Sequence, residues 1–228
     1  MLNTLFLAVA VCTPAPPVER IVAQIAARAE LDKAGALLRF RKEWTEEDTT
    51  NPAEVRLKHT KKWDVEGTGM RFRQTLVQLD GKPVSNSVAE AKTQDPRREF
   101  LARYTLELAD PCGVELEGRL HWQVAFRPRI DVIQPSGEDE DDLLNRAAGI
   151  MYVDALLWFV RSATGIMKTP YSVDIVGRVN YADIRLEQDE VDGVVVTRYI
   201  LTDVSYSKWG RHYSKRIVYK YLDFAPIP

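Results

Sequence analysis

The chain has little of what most local catalytic and metal sites are built from. It carries two cysteines, Cys12 and Cys112, and three histidines. The cysteines form no C-x-x-C pair, so a thiol-redox motif or a zinc knuckle lacks its ligands. His59, His121 and His212 lie far apart, and none has a second ligand at i+2 or i+4. No metal or other cofactor is expected. Neither charge sign dominates: 31 Lys and Arg stand against 33 Asp and Glu, a net charge of −2. That balance gives no footprint for nucleic acid and no polybasic anchor for a membrane. No stretch is long and apolar enough to span a bilayer as a helix, so an integral membrane protein is not expected. Nucleophile-elbow, P-loop and dinucleotide-binding motifs are absent, and the carboxylates are scattered on polar positions, so no catalytic pair stands out and no enzyme is expected. The acidic run Glu138 to Asp142 lacks the spaced oxygens and central glycine of a calcium loop, and reads as a solvated loop leading into a helix N-terminus.

The apolar share, 45% of 228 residues, suits one ordinary domain with a real core. At the N-terminus, Leu5 to Cys12 is apolar and Thr13 to Pro17 is proline-rich, with a small-x-small step at Ala8, Val9 and Ala10. This resembles the end of a secretory signal, although no Lys or Arg precedes it. Residues 1–16 are therefore read as a signal-peptide-like segment and residues 17–228 as the domain, with export to the periplasm. Val11 stands where lipidation at Cys12 needs a small residue, so a lipid-anchored form is disfavoured. A disulfide between Cys12 and Cys112 requires an oxidising compartment and a mature chain that keeps Cys12.

Val18, Ile21, Val22, Ile25, Ala26 and Ala29 recur at helical spacing, and Pro17 suits the first turn, so an amphipathic helix starts here. Beyond Gly35 the period falls to two. Strands are expected over 38–44, 55–65, 70–79 and 104–108, with turns at Thr49 to Pro52, Glu66 to Gly69 and Asp80-Gly81. Short helices are candidates at Asn86 to Lys92, Pro96 to Arg103 and Leu143 to Ala148. Val114 to Phe126 alternates almost throughout, which predicts one strand on the order of 40 Å long. Its row Leu120, Trp122, Val124 and Phe126 needs an apolar cover. Ile150 to Val160 is apolar on both parities and reads as a strand buried on both faces. Strands over 171–186, 194–206 and 212–224 follow, with Asp192-Gly193 and Trp209-Gly210 as turns. Five tryptophans and nine tyrosines suit either an aromatic core or an apolar cavity with aromatic walls. The fold class is α+β, a large antiparallel sheet with helices on one face.

Three stretches resemble the LolA/LolB-like superfamily of lipoprotein-localisation factors and their relatives. Arg71 to Pro83 looks like the family's strand with its D-G-K-P turn. Trp122 to Pro128 looks like the strand ending in an F-x-P step. Leu143 to Asp154 looks like the helical turn and G-x-x-x-V-D strand that follow. With the flanking strands the resemblance covers about Val18 to Phe224. It implies a large curved sheet, an unclosed β-barrel, with the N-terminal helix and a short helix on the concave face. It also implies a non-catalytic periplasmic carrier for a lipid- or acyl-bearing ligand, possible partners being lipoproteins or lipids. The expected cavity lining is Ile21, Ile25, Leu120, Trp122, Val124, Phe126, Val153 and Trp158. The alternative is an envelope interaction module whose core is filled by side chains and which binds other envelope proteins.

Overall fold

In the computed structural model, residues 12–33, 37–67, 71–85, 89–93, 103–129, 143–173 and 177–227 are described. The chain enters through the disulfide Cys12–Cys112. Around it, the Ala15 amide donates to the Pro111 carbonyl at 2.8 Å and the Gly113 amide to the Thr13 carbonyl at 2.8 Å. Helix α1, Val18–Lys33, follows. Pro17 starts it, accepting from the amides of Arg20 and Ile21. Its buried positions are Ile21, Ile25, Ala29 and Asp32, one stripe at three- and four-residue spacing.

The rest of the chain is dominated by strands. They are β1 Leu38–Asp48, β2 Arg56–Gly67, β3 Arg71–Leu79, β4 Lys82–Pro83, β5 Ala89–Thr93, β6 Tyr104–Leu108, β7 Val114–Leu116 and β8 Arg119–Pro128. Then come β9 Ala147–Asp154, β10 Val160–Met167, β11 Tyr171–Ser172, β12 Gly177–Val191, β13 Val194–Lys208 and β14 Arg211–Pro226. They form one sheet in the order β4-β3-β2-β1-β14-β13-β12-β10-β9-β8-β6, with β5 beside β3, β7 beside β8 and β11 beside β12. All pairings are antiparallel. The end strands do not meet, so the sheet is an unclosed barrel with its N-terminal helix against one face.

Several elements differ from the expectation. The long strand Val114–Phe126 is a hairpin. Glu117 and Gly118 both have positive φ, 53° and 75°, the conformation of a tight two-residue turn that suits the twist of the flanking strands. Val114 therefore pairs with His121 and Leu116 with Arg119, which takes them off the face of Leu120 and Trp122. Gly118, the one break in the alternation, marked the turn. Ile150 to Val160 is likewise a hairpin. Asp154 accepts from the amides of Leu156 and Leu157, both at 2.8 Å, and this short polar side chain turns the chain between β9 and β10. Trp158 sits in that turn at φ 57°, not inside a strand. Of the Asn86–Lys92 segment, residues 89–92 belong to β5, pairing with β3. At Leu143–Ala148, Leu143 and Leu144 are helical, Asn145 and Arg146 turn, and Ala147 already opens β9. The acidic run Glu138–Asp142 and residues 96–102 lie outside the described residues.

Candidate functional site

The site follows from one line of the register. Cα partners link Leu108, Val124, Met151, Ala163, Leu186, Ile200, Tyr219, Trp44, Lys61 and Leu79 in turn, from β6 across to β3. Partnered residues point to the same side of a sheet, so this row lies on one face. Val124 packs with Ile21 and Ile25, which identifies it as the face that carries α1. From Val124 onward burial falls along the row. Val124 is 0% and Met151 1% exposed; Ala163, Leu186, Ile200, Tyr219 and Trp44 are half-buried; Leu79 is 41% exposed.

At the sealed end, Ile21 and Ile25 enter a core cluster with Tyr104, Trp122, Val124, Phe126, Met151 and Val153, and Leu120 and Trp158 pack against it. All eight residues named from the sequence as cavity lining are thus brought together here, the hairpin corrections notwithstanding. Tyr104 meets Phe126 edge-on at 5.1 Å and donates its hydroxyl to the Leu144 carbonyl at 2.6 Å. Burial pushes the Tyr104 phenol up to about 12, against an opposing pull from Arg103.

The helix is tied down beyond this cluster. At its C-terminal end, buried Asp32 accepts from the Val195 amide at 3.2 Å and from Arg28 Nε at 3.1 Å. Arg28 Nη2 also donates to the Gly193 carbonyl at 2.7 Å and to Glu190 at 3.0 Å. Both bonds hold α1 to the β12–β13 hairpin. At the other end, the disulfide holds the segment leading into the helix to the β6–β7 connection. A helix anchored at both ends over fully buried side chains acts as a seal.

The other half of the face has a different chemistry. Tyr219 and Tyr221 of β14 partner Trp44 and Lys42 of β1, which in turn partner Lys61 and Trp63 of β2. Ile200 and Ile217 continue the same face. Lys42 Nζ lies 5.1 Å from the Trp63 ring centre and 5.2 Å from that of Tyr219, and Lys61 Nζ lies 5.0 Å from Trp44. These are cation–π distances. The aromatic rings are half-buried, so the strip offers apolar surface and two ammonium groups together. Trp44 and Trp63 belong to the tryptophans that the sequence set apart as core or cavity wall, whereas Tyr219, Tyr221 and Ile217 were not singled out. Their signal was the alternation Tyr213, Lys215, Ile217, Tyr219, Tyr221, whose meaning depends on knowing which face β14 presents.

Above the strip lies a small charged hollow of about 60 Å³ lined by Glu46, Asp48, Lys58, Tyr206, Tyr213 and Lys215, among others. Two of its acids are paired, Glu46 with Lys215 at 3.8 Å and Asp48 with Lys58 at 3.4 Å. The Thr50 amide holds the Asp48 carboxyl below its ordinary range. Among the described residues, no group of three or more His, Cys, Asp or Glu side chains could hold a metal ion. His59 lies beside Asp80 at 3.3 Å, His121 is buried and His212 is exposed at the start of β14.

No family model matches the chain, and no curated protein matches it. Among solved structures, it is similar to a DUF1329 family protein from Desulfovibrio piger ATCC 29098, at 8% identity and a TM-score of 0.43, covering 93% of this chain and 94% of that one. It is also similar to the MucA/MucB complex of Pseudomonas aeruginosa, at 9% identity and a TM-score of 0.29, covering 92% and 99%. A structure of MucB with MucA(peri) gives 10% identity, a TM-score of 0.28, and the same coverage of 92% and 99%. Likenesses this distant assign neither a family nor a function to this chain.

Proposed function

We propose that this protein is an exported, non-catalytic binding module of LolA-like architecture. It holds an acyl-bearing or otherwise apolar ligand on the open half of its helix-bearing face, against Trp44, Trp63, Tyr219 and Tyr221. The observation that carries this reading is the fall in burial along one register row, from Val124 at 0% exposure to Leu79 at 41%. Large aromatic side chains bury roughly 150–250 Å² each when covered. Leaving a strip of them partly exposed forgoes stabilisation of roughly 25 cal/mol for each Å² left uncovered. Lys42 and Lys61 on the same strip suit a ligand with an anionic group beside its apolar part. The Cys12–Cys112 bond supports an oxidising compartment, and hence export. The order of the elements, a helix and then an open antiparallel sheet, supports the LolA-like assignment.

Native mass spectrometry of protein isolated from the periplasm, with titration by a fluorescent acyl probe, tests the reading. Wild-type protein is expected to bind the probe, and Trp63→Ala and Trp44→Ala to weaken it. A protein that repeatedly carries no lipid and binds no acyl probe sinks the proposal. One observation favours a second reading: the region beneath α1 is filled by Ile21, Ile25 and Trp122, as in an interaction module with a closed core. That module would be recovered with an envelope protein in a pull-down and would show no lipid uptake.

A further inference from the structure

Tight turns with two positive-φ residues join several hairpins of the sheet. Asp80-Gly81, Glu117-Gly118 and Asp192-Gly193 each place an acidic residue first and a glycine second. At the β13–β14 turn the first residue is Trp209, at φ 53°, with Gly210 at φ 73°. A left-handed backbone suits glycine and short polar side chains, and disfavours a bulky one. Burial could offset that cost, but Trp209 is 74% exposed. The fold gains little packing from it. A residue that breaks a local rule without a structural gain points to a role outside the fold.

The surroundings indicate which role. Lys208 and Arg211 flank the turn as Cα partners, and Gly177 of β12 partners Lys208. Arg178 lies one position further along. Lys208, Arg211 and Arg178 are exposed, and none forms an ion pair among the described residues. Deeper in the same strands, Lys215 pairs with Glu46 at 3.8 Å and Arg216 with Asp203 at 2.8 Å. On its β14 side the hairpin runs past its neighbour: Arg211 to Tyr213 lie beyond the last β1 partner and pair with β13 alone, over about 10 Å at the usual rise per residue, while β12 accompanies β13 out to Lys208. Val173 is exposed at the same end of the sheet, where its amide bonds to Gly177. The whole-chain charge balance conceals this local excess of positive charge.

We infer that the β13–β14 tip docks the protein on an anionic lipid surface. Trp209 enters the headgroup region, and Lys208, Arg211 and Arg178 meet the lipid phosphates. An indole is suited to the interface because it joins an apolar ring to one N–H donor. Basic residues close to an anionic leaflet each add to the attraction. One exposed aromatic ring with cations around it fits a deformable charged surface, whereas a protein partner would need a pocket to receive it.

The test is vesicle flotation with the full chain. Wild-type protein is expected to float with phosphatidylglycerol-containing vesicles at low salt, to release at high salt, and to ignore pure phosphatidylcholine. Lys208→Gln and Arg211→Gln are each expected to weaken binding about fivefold. Brominated lipid should quench part of the tryptophan emission in wild type, and Trp209→Phe should abolish that quenching. Trp63→Ala should float like wild type, which separates the tip from the aromatic strip. All these positions are at least partly exposed, so a thermal melt confirms that each variant is folded. Equal flotation of the wild type and the two glutamine variants overturns the inference, as does failure of the wild type to float on anionic vesicles. Capture of an acidic protein through the tip without flotation also overturns it.

Discussion

Ile21→Ala distinguishes a seal from a lid. Ile21 is 0% exposed and packs in the cluster with Trp122, Val124 and Val153. Truncating a buried isoleucine removes its transfer free energy and leaves a cavity, together about 2–5 kcal/mol. In a domain of 150–250 residues each kcal/mol moves the melting temperature by about 2–4 °C. The expected loss is therefore about 4–20 °C, read by calorimetry or far-UV circular dichroism. Relaxation around the cavity favours the lower end, but Asp32 and the disulfide hold both ends of α1, which limits collapse. Acyl-probe affinity should stay close to wild type, because the ligand strip lies across β14, β1 and β2. Trp63→Ala should reverse the pattern, weakening the probe and costing only about 1–2 kcal/mol, since the ring is half-buried and loses one cation–π contact of about 0.5–1 kcal/mol. If Ile21→Ala leaves the melting temperature unchanged and alters probe uptake instead, the helix is a moving lid and the division of the face is wrong.

Replacing Cys12 and Cys112 together by Ser should lower stability by up to about 4–5 kcal/mol, because the bond closes a loop of 100-residue separation; an unchanged denaturant midpoint would refute it. Tyr104 has a phenol raised to about 12 by burial. Its contribution is therefore complete below its ordinary value near 10 and is lost as pH rises towards 12, because the unfolded chain ionises first. Tyr104→Phe should flatten that alkaline limb in melts taken across the range, at a cost of about 1 kcal/mol near neutrality for the lost bond to Leu144. Gly118→Val puts a β-branched side chain at φ 75° and should destabilise by at least about 1–2 kcal/mol. A variant as stable as wild type in urea would count against the tight-turn reading of Glu117-Gly118.

The turns show how far the sequence can be read. Asp80-Gly81, Asp192-Gly193 and Trp209-Gly210 were legible because a glycine with positive φ is a local requirement. The helix at Val18 was legible because its stripe repeats within a few turns. The Val114–Phe126 segment misled because the parity of a strand survives a two-residue turn in the sequence while its faces exchange in space. Asp154 was visible as the lone polar residue in an apolar run, but its role as a turn-former rests on two backbone amides that only the folded chain presents.

The sequence by itself determined the fold class, the helix that must cover an apolar face and the apolar row of Leu120, Trp122, Val124 and Phe126. These follow from periodicity, which each segment carries alone. Only the tertiary structure decided that this row is sealed and that the exposed strip lies several strands away, on Trp44, Trp63, Tyr219 and Tyr221. The reason is register. A burial gradient across a sheet depends on which residues of distant segments become neighbours and on where α1 is anchored, and no single segment contains that information.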